Sequence, residues 1–69
     1  MKQIMVSIER TGKKVKVGWK KNLVMKDLIV LTNNNPVEVV PVVNGSIVTD
    51  VYVVQEHDKV ELLSVVSGG

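Results

Sequence analysis

NLVMKDLIVLTNNNP, running from Asn22 to Pro36, is the stretch on which the fold turns. Its apolar residues satisfy two templates. Ile29 and Val30 suit a buried strand, whereas Val24, Leu28 and Leu31 recur at helical spacing, with Leu23 and Met25 flanking that stripe. Length arbitrates, because a buried strand is shorter than this segment. Asn22 stands where an N-cap belongs, and the run Asn33-Asn34-Asn35-Pro36 stops the helix. We therefore predict one helix here.

Both flanks read as strands. Upstream, KQIMVSI places Ile4, Val6 and Ile8 on one face and Gln3, Met5 and Ser7 on the other. ERTGK supplies a turn, with Gly12 free to take positive φ. KKVKVGW then turns Val15, Val17 and Trp19 inward and Lys14 and Lys16 to water, completing a β-hairpin. Downstream, VEVVPVV is a third strand, whose Pro41 suggests an edge position or a bulge. Asn44-Gly45 is a hairpin turn before the short apolar piece Ile47-Val48. A connecting segment, Thr49 to Val54, contains Tyr52. After the turn QEHD, KVELLSVV is the final strand, with Val60 and Leu62 on one face and Glu61 and Leu63 on the other.

Strand, strand, helix, strand, short strand, strand is the order of an α+β β-grasp, a mixed sheet of 4–5 strands with one helix packed across it. Its first and last strands lie parallel at the centre, and the opposite sheet face is partly open. Met5 and Leu63 fall on that open face, while Val6, Val17, Leu28 and Leu62 are expected to be buried together.

The composition supports this reading and excludes much chemistry. The 69 residues include seventeen valines and no alanine or phenylalanine, a β-branched bias that favours strands. A chain this short buries only about 60% of its unfolded surface. The absence of cysteine removes disulfides, thiolate metal sites and a cysteine nucleophile, and fits a reducing cytoplasm. The apolar part of MKQIMVSIER is too short for a signal peptide, and LIVL is far below a membrane span, so a soluble protein is expected. The net charge of +2 names no partner by itself.

His57 is the only histidine and lacks the convergent ligands a metal requires. In the turn between Glu56 and Asp58 it reads as a residue tolerating left-handed backbone. Ser7, Ser46, Ser64 and Ser67 have no triad partners, and the glycines at 12, 18, 45, 68 and 69 form no phosphate loop. Lys13, Lys14, Lys16, Lys20 and Lys21 surround Trp19 in a pattern that could suit RNA. Alternation instead turns Trp19 to the core, so the lysines read as a solvated hairpin surface rather than a nucleic-acid site.

The run VVPVVNGSIV, the segment HDKVELLSVVSGG and the final Gly68-Gly69 together resemble the small sulfur carriers of thiamine and molybdopterin biosynthesis. Those are ubiquitin-like β-grasp proteins, as are the related archaeal small modifier proteins. The resemblance extends from Val37 to Gly69, while the first half matches in strand order more than in residues. His57 stands where such proteins often have glycine, which implies a strained left-handed histidine.

The resemblance implies that the carboxylate of Gly69 is the functional group. An adenylating enzyme of the ubiquitin-activating type would activate it with ATP. A sulfur donor would convert it to a thiocarboxylate for a sulfur-accepting synthase in cofactor or tRNA chemistry; alternatively, a lysine amine would form an isopeptide bond. ATP and metal belong to the partner, and this chain is expected to bind no cofactor, to perform no catalysis and to be a monomer alone. Residues 1–66 would form the domain and 67–69 a flexible tail. Ser64 to Ser67 would be the stem, with Val65, Val66, Ser67 and Gly68 lying along the partner's channel. Leu63 and Met5 would dock the globular body. A β-grasp binding module with an incidental diglycine is the remaining alternative. Glycine suits the reacting end because it has no Cβ to crowd the attacked carbonyl.

Overall fold

The computed structural model describes residues 2–65. Alternating burial makes Gln3–Ile8 (β1) a strand, with Ile4, Val6 and Ile8 buried. The loop 9–12 returns the chain into Lys13–Gly18 (β2), antiparallel to β1 from Gln3↔Gly18 to Ile8↔Lys13. Gly12 closes that loop at φ +68, its N–H donating to the Ile8 carbonyl at 2.9 Å.

The helix Met25–Leu31 (α1) forms where the sequence predicts one, but its details differ. Its N-cap is Val24, with no side-chain capping bond, and Asn22 is instead a left-handed turn residue at φ +67. Backbone from a distant segment caps the helix, Met25 N–H donating to the Tyr52 carbonyl and Lys26 N–H to the Asp50 carbonyl. The buried stripe is Met25, Leu28 and Ile29, while Leu31 is 61% exposed. At about 100° per residue, Leu31 lies well off the arc that those three share. Asn33, at φ +65, ends the helix by turning left-handed.

A 3-10 turn at Pro36–Glu38 leads into Val39–Val43 (β3). Asn44 and Gly45, at φ +52 and +86, make the tight turn to Ser46–Ile47 (β4). The last strand is Val60–Ser64 (β5). The sheet order is β2-β1-β5-β3-β4, with β1 and β5 parallel at the centre through Val6↔Val60, Ser7↔Glu61 and Ile8↔Leu62. Parallel neighbours require a long crossover, which the chain through β2, α1, β3 and β4 supplies. This is the α+β, ubiquitin-like β-grasp architecture.

Pro41 is neither on an edge strand nor at a bulge. β3 lies between β5 and β4, and its register with β5 is continuous from Val39↔Ser64 to Val43↔Val60. The Pro41 carbonyl accepts from Val48 N–H at 3.1 Å, so the imide nitrogen also faces the β4 side. There β4 pairs only with Val42 and Val43, and the missing N–H breaks no ladder bond to β5.

One apolar cluster fills the space between α1 and the sheet. Val6, Val17, Leu28 and Leu62 meet in it as expected, joined by Leu23, Met25, Ile29 and Val54. Full burial of each such side chain favours folding by about 1.5–3 kcal/mol before entropy is subtracted.

Candidate functional site

Because β5 is central, its alternation sorts core from surface most sharply. Val60 and Leu62 are buried in the cluster, whereas Glu61 is exposed and Leu63 half-buried on the outer face. Met5, 43% exposed, shares that face one strand away, opposite Lys16 on β2. Ser7 lies between Lys14 and Glu61. A shallow groove of about 250 Å³ runs past Ser7, Lys14, Glu61 and Leu63, and a second of about 230 Å³ continues it to Met5 and Lys59.

The β3 side of the outer face carries apolar residues that sequence reading missed. Val40 stands opposite Leu63, and Val42, itself buried, lies between Glu61 and Ile47. Ile47 is 74% exposed. The outer face is therefore basic on its β2 side, with Lys14 and Lys16, and apolar on its β3–β4 side. VVPVV is apolar at every position, so period-two contrast could not reveal which valines point outward.

The end of β5 is fastened on both edges. Ser64 N–H donates to Glu9 Oε1 at 3.2 Å, and Val65 N–H to the Glu38 carbonyl at 3.1 Å. Ser64 still pairs with Val39, so it belongs to the sheet and not to a stem. Val65 is 48% exposed. Val66, Ser67, Gly68 and Gly69, with the expected domain boundary between residues 66 and 67, lie outside the described residues.

Asp58 organises the approach to β5. Its Oδ2 accepts from the Tyr52 hydroxyl and the Gln55 N–H, both at 2.8 Å, and its Oδ1 accepts from Asn44 Nδ2 at 3.1 Å. The bond to Asp58, followed by burial and the carboxylate's charge, raises the Tyr52 phenol above its ordinary 10.0. Lys2 hydrogen-bonds and pairs with Glu56, holding that carboxyl below its ordinary 4.5.

His57 does not hold left-handed backbone, since the non-glycine residues with positive φ among those described are Asn22, Asn33 and Asn44. Its ring is 92% exposed, with Nε2 3.7 Å from Glu56 Oε1. Trp19 donates its indole N–H to the Val54 carbonyl at 2.9 Å and packs against the core, so its ring is no free stacking platform. Lys13, Lys14, Lys16, Lys20 and Lys21 are all exposed. Among the described residues no three His, Cys, Asp or Glu side chains converge as metal ligands, and no helix is long and apolar enough to cross a membrane.

No curated protein matches this sequence. The ThiS family matches residues 6–69, from the middle of β1 through the whole sheet to Gly69. Its members are small ubiquitin-like sulfur carriers that work with activating enzymes and synthases. With a β-grasp sheet, an open outer face and a family match that includes Gly68-Gly69, the chain belongs to the ThiS family.

Proposed function

We propose that this protein carries sulfur as a thiocarboxylate on Gly69. The observation that supports this most is the family match extending to Gly69 itself. A free α-carboxylate, with a pKa of about 3.3–3.7, is an anion at neutral pH and a poor electrophile. Activation therefore comes first. A carboxylate oxygen attacks the α-phosphorus of ATP in an adenylating partner, forming an acyl-adenylate and releasing pyrophosphate. A hydrosulfide-equivalent donor then attacks the carbonyl, AMP leaves, and the thiocarboxylate remains without change of oxidation state. ATP and its metal are held by the partner.

This chain contributes position and access. Leu63 and Met5 supply apolar contact for the partner, and Val65 with Val66, Ser67 and Gly68 threads its channel. Glycine at the reacting carbonyl leaves room for attack. The sulfur is then handed to a synthase.

Intact mass of the protein purified from its native host tests the proposal. Exchange of one carboxyl oxygen for sulfur is expected, together with ATP–pyrophosphate exchange that stops when Gly69 is deleted or one residue is appended. Ladders of lysine-linked conjugates with no sulfur-containing form would make the chain a modifier instead. Undiminished exchange by a chain ending at Gly68 would refute the role of Gly69.

A further inference from the structure

β2 is an edge strand, and the sheet order β2-β1-β5-β3-β4 leaves its far side without a neighbour. The opposite edge, β4, is only two residues long, whereas β2 has six. Which of its groups stand open follows from the ladder. Trp19 N–H donates to the Lys2 carbonyl at 2.8 Å, so Trp19, Val17, Val15 and Lys13 turn their backbone toward β1. The N–H and C=O groups of Lys14, Lys16 and Gly18 therefore point away from the sheet. Among the described residues they have no partner.

Charge is concentrated on the same edge. From Gly12 to Lys21 the chain holds five lysines and no acidic residue. All five are exposed, and the ion pairs among the described residues use none of them. Opposite Lys16 and Lys14 on β1 stand Met5 and Ser7, so no carboxylate answers them across the strand pair. On the inner face between them, Val15 is half-buried at the margin of the core cluster.

The geometry points to the β2 edge as a docking site for an extended acidic segment of a partner protein, added to the sheet as a further strand. The main chain of that segment bonds the open groups of Lys14, Lys16 and Gly18. Its acidic side chains on one face meet Lys14 and Lys16, and the alternate apolar ones cover Val15. A second copy of this chain is a poor occupant, because β2 against β2 sets lysine beside lysine. Nucleic acid fits no better. Phosphates cannot match alternating donors and acceptors, and Trp19 is committed to the core and to the Val54 carbonyl. Nothing in this site depends on the chemistry proposed for Gly69.

The probe is a capped peptide of about seven residues in which glutamate and valine alternate, long enough to span β2. Titrated into the isotopically labelled full-length chain, it should bind with a Kd below about 1 mM. Exchange of the Lys14, Lys16 and Gly18 amides should slow about tenfold or more, while that of Val17, already in the ladder, should not change. Lys14→Gln combined with Lys16→Gln should weaken binding about three- to tenfold, the effect of two lost cross-strand charge pairs. Lys16→Pro removes an edge N–H with the same loss of charge as Lys16→Gln, and should bind about fivefold more weakly than it. Circular dichroism checks that the proline variant folds; if it does not, amide exchange in the wild type decides alone. Binding without protection of the three amides would reveal charge attraction only and overturn strand addition. No binding up to about 1 mM, or tighter binding of an oligouridylate than of the peptide, would overturn the choice of occupant. So would a dimer of this chain whose Lys14 and Lys16 amides are already protected.

Discussion

Replacing Asp58 with alanine should loosen the approach to β5 by an amount the structure lets us work out. Three donors lose their acceptor: the Tyr52 hydroxyl, the Gln55 amide and the Asn44 side-chain amide. The last two bonds are exposed, so water can take them over at little cost. The Tyr52 bond is partly buried, and hydrogen bonds to charged groups contribute about 1.5–3 kcal/mol. A total of about 2–3 kcal/mol follows, against roughly 3–10 kcal/mol expected for a domain of this size. At about 4–8 °C per kcal/mol, the melting midpoint should fall by roughly 10–20 °C. Thermal melts followed by far-ultraviolet circular dichroism measure this directly. The protein has a single tyrosine, so an ultraviolet titration reports the same contact independently. In the wild type the phenol should ionise above 10.0, and in Asp58→Ala it should return toward that value. The raised folded pKa means that this contact stabilises fully below about pH 10 and is lost as pH rises through the folded value. Asp58→Asn, which keeps the shape but not the charge, should give an intermediate melt. A wild-type melting midpoint in Asp58→Ala, with the tyrosine titration unmoved, would refute the reasoning.

Other expectations concern surface, turn and acid behaviour. Leu63→Asp should retain the wild-type melt but weaken binding to the activating enzyme about tenfold or more in titration calorimetry, because a charge resists burial in an apolar contact. Leu62→Asp, one residue away but inside the core, should instead prevent folding. Gly45→Ala should cost about 1–2 kcal/mol in chemical denaturation, since its φ of +86 strains any Cβ although no atom lies within 4 Å to clash. Lys2→Met should raise the Glu56 carboxyl toward 4.5 in an NMR titration. In the wild type that ion pair stabilises above the unfolded value near 4.5 and fades as pH falls through the depressed folded one, so the variant should lose stability at neutral pH but not at strongly acid pH.

Local physics was legible in the order of residues alone. Alternation in KQIMVSI and KVELLSVV separated Ile4, Val6, Val60 and Leu62 from Met5, Glu61 and Leu63, because successive side chains on a strand face opposite ways. Gly12 and Asn44-Gly45 announced their turns because few other residues accept positive φ. What sequence reading misassigned depends on partners far along the chain. The helix begins at Met25 because carbonyls of Asp50 and Tyr52 receive its first amides, leaving Asn22 free to turn. Pro41 is tolerated inside the sheet because β4 is too short to need its N–H. Val40, Val42 and Ile47 join the outer face only once β3 is set between β5 and β4. Glu9 meets Ser64 across 55 positions, a contact that exists only because β1 and β5 run side by side. Propensity and alternation act over a few residues, whereas these bonds join segments that folding alone brings together.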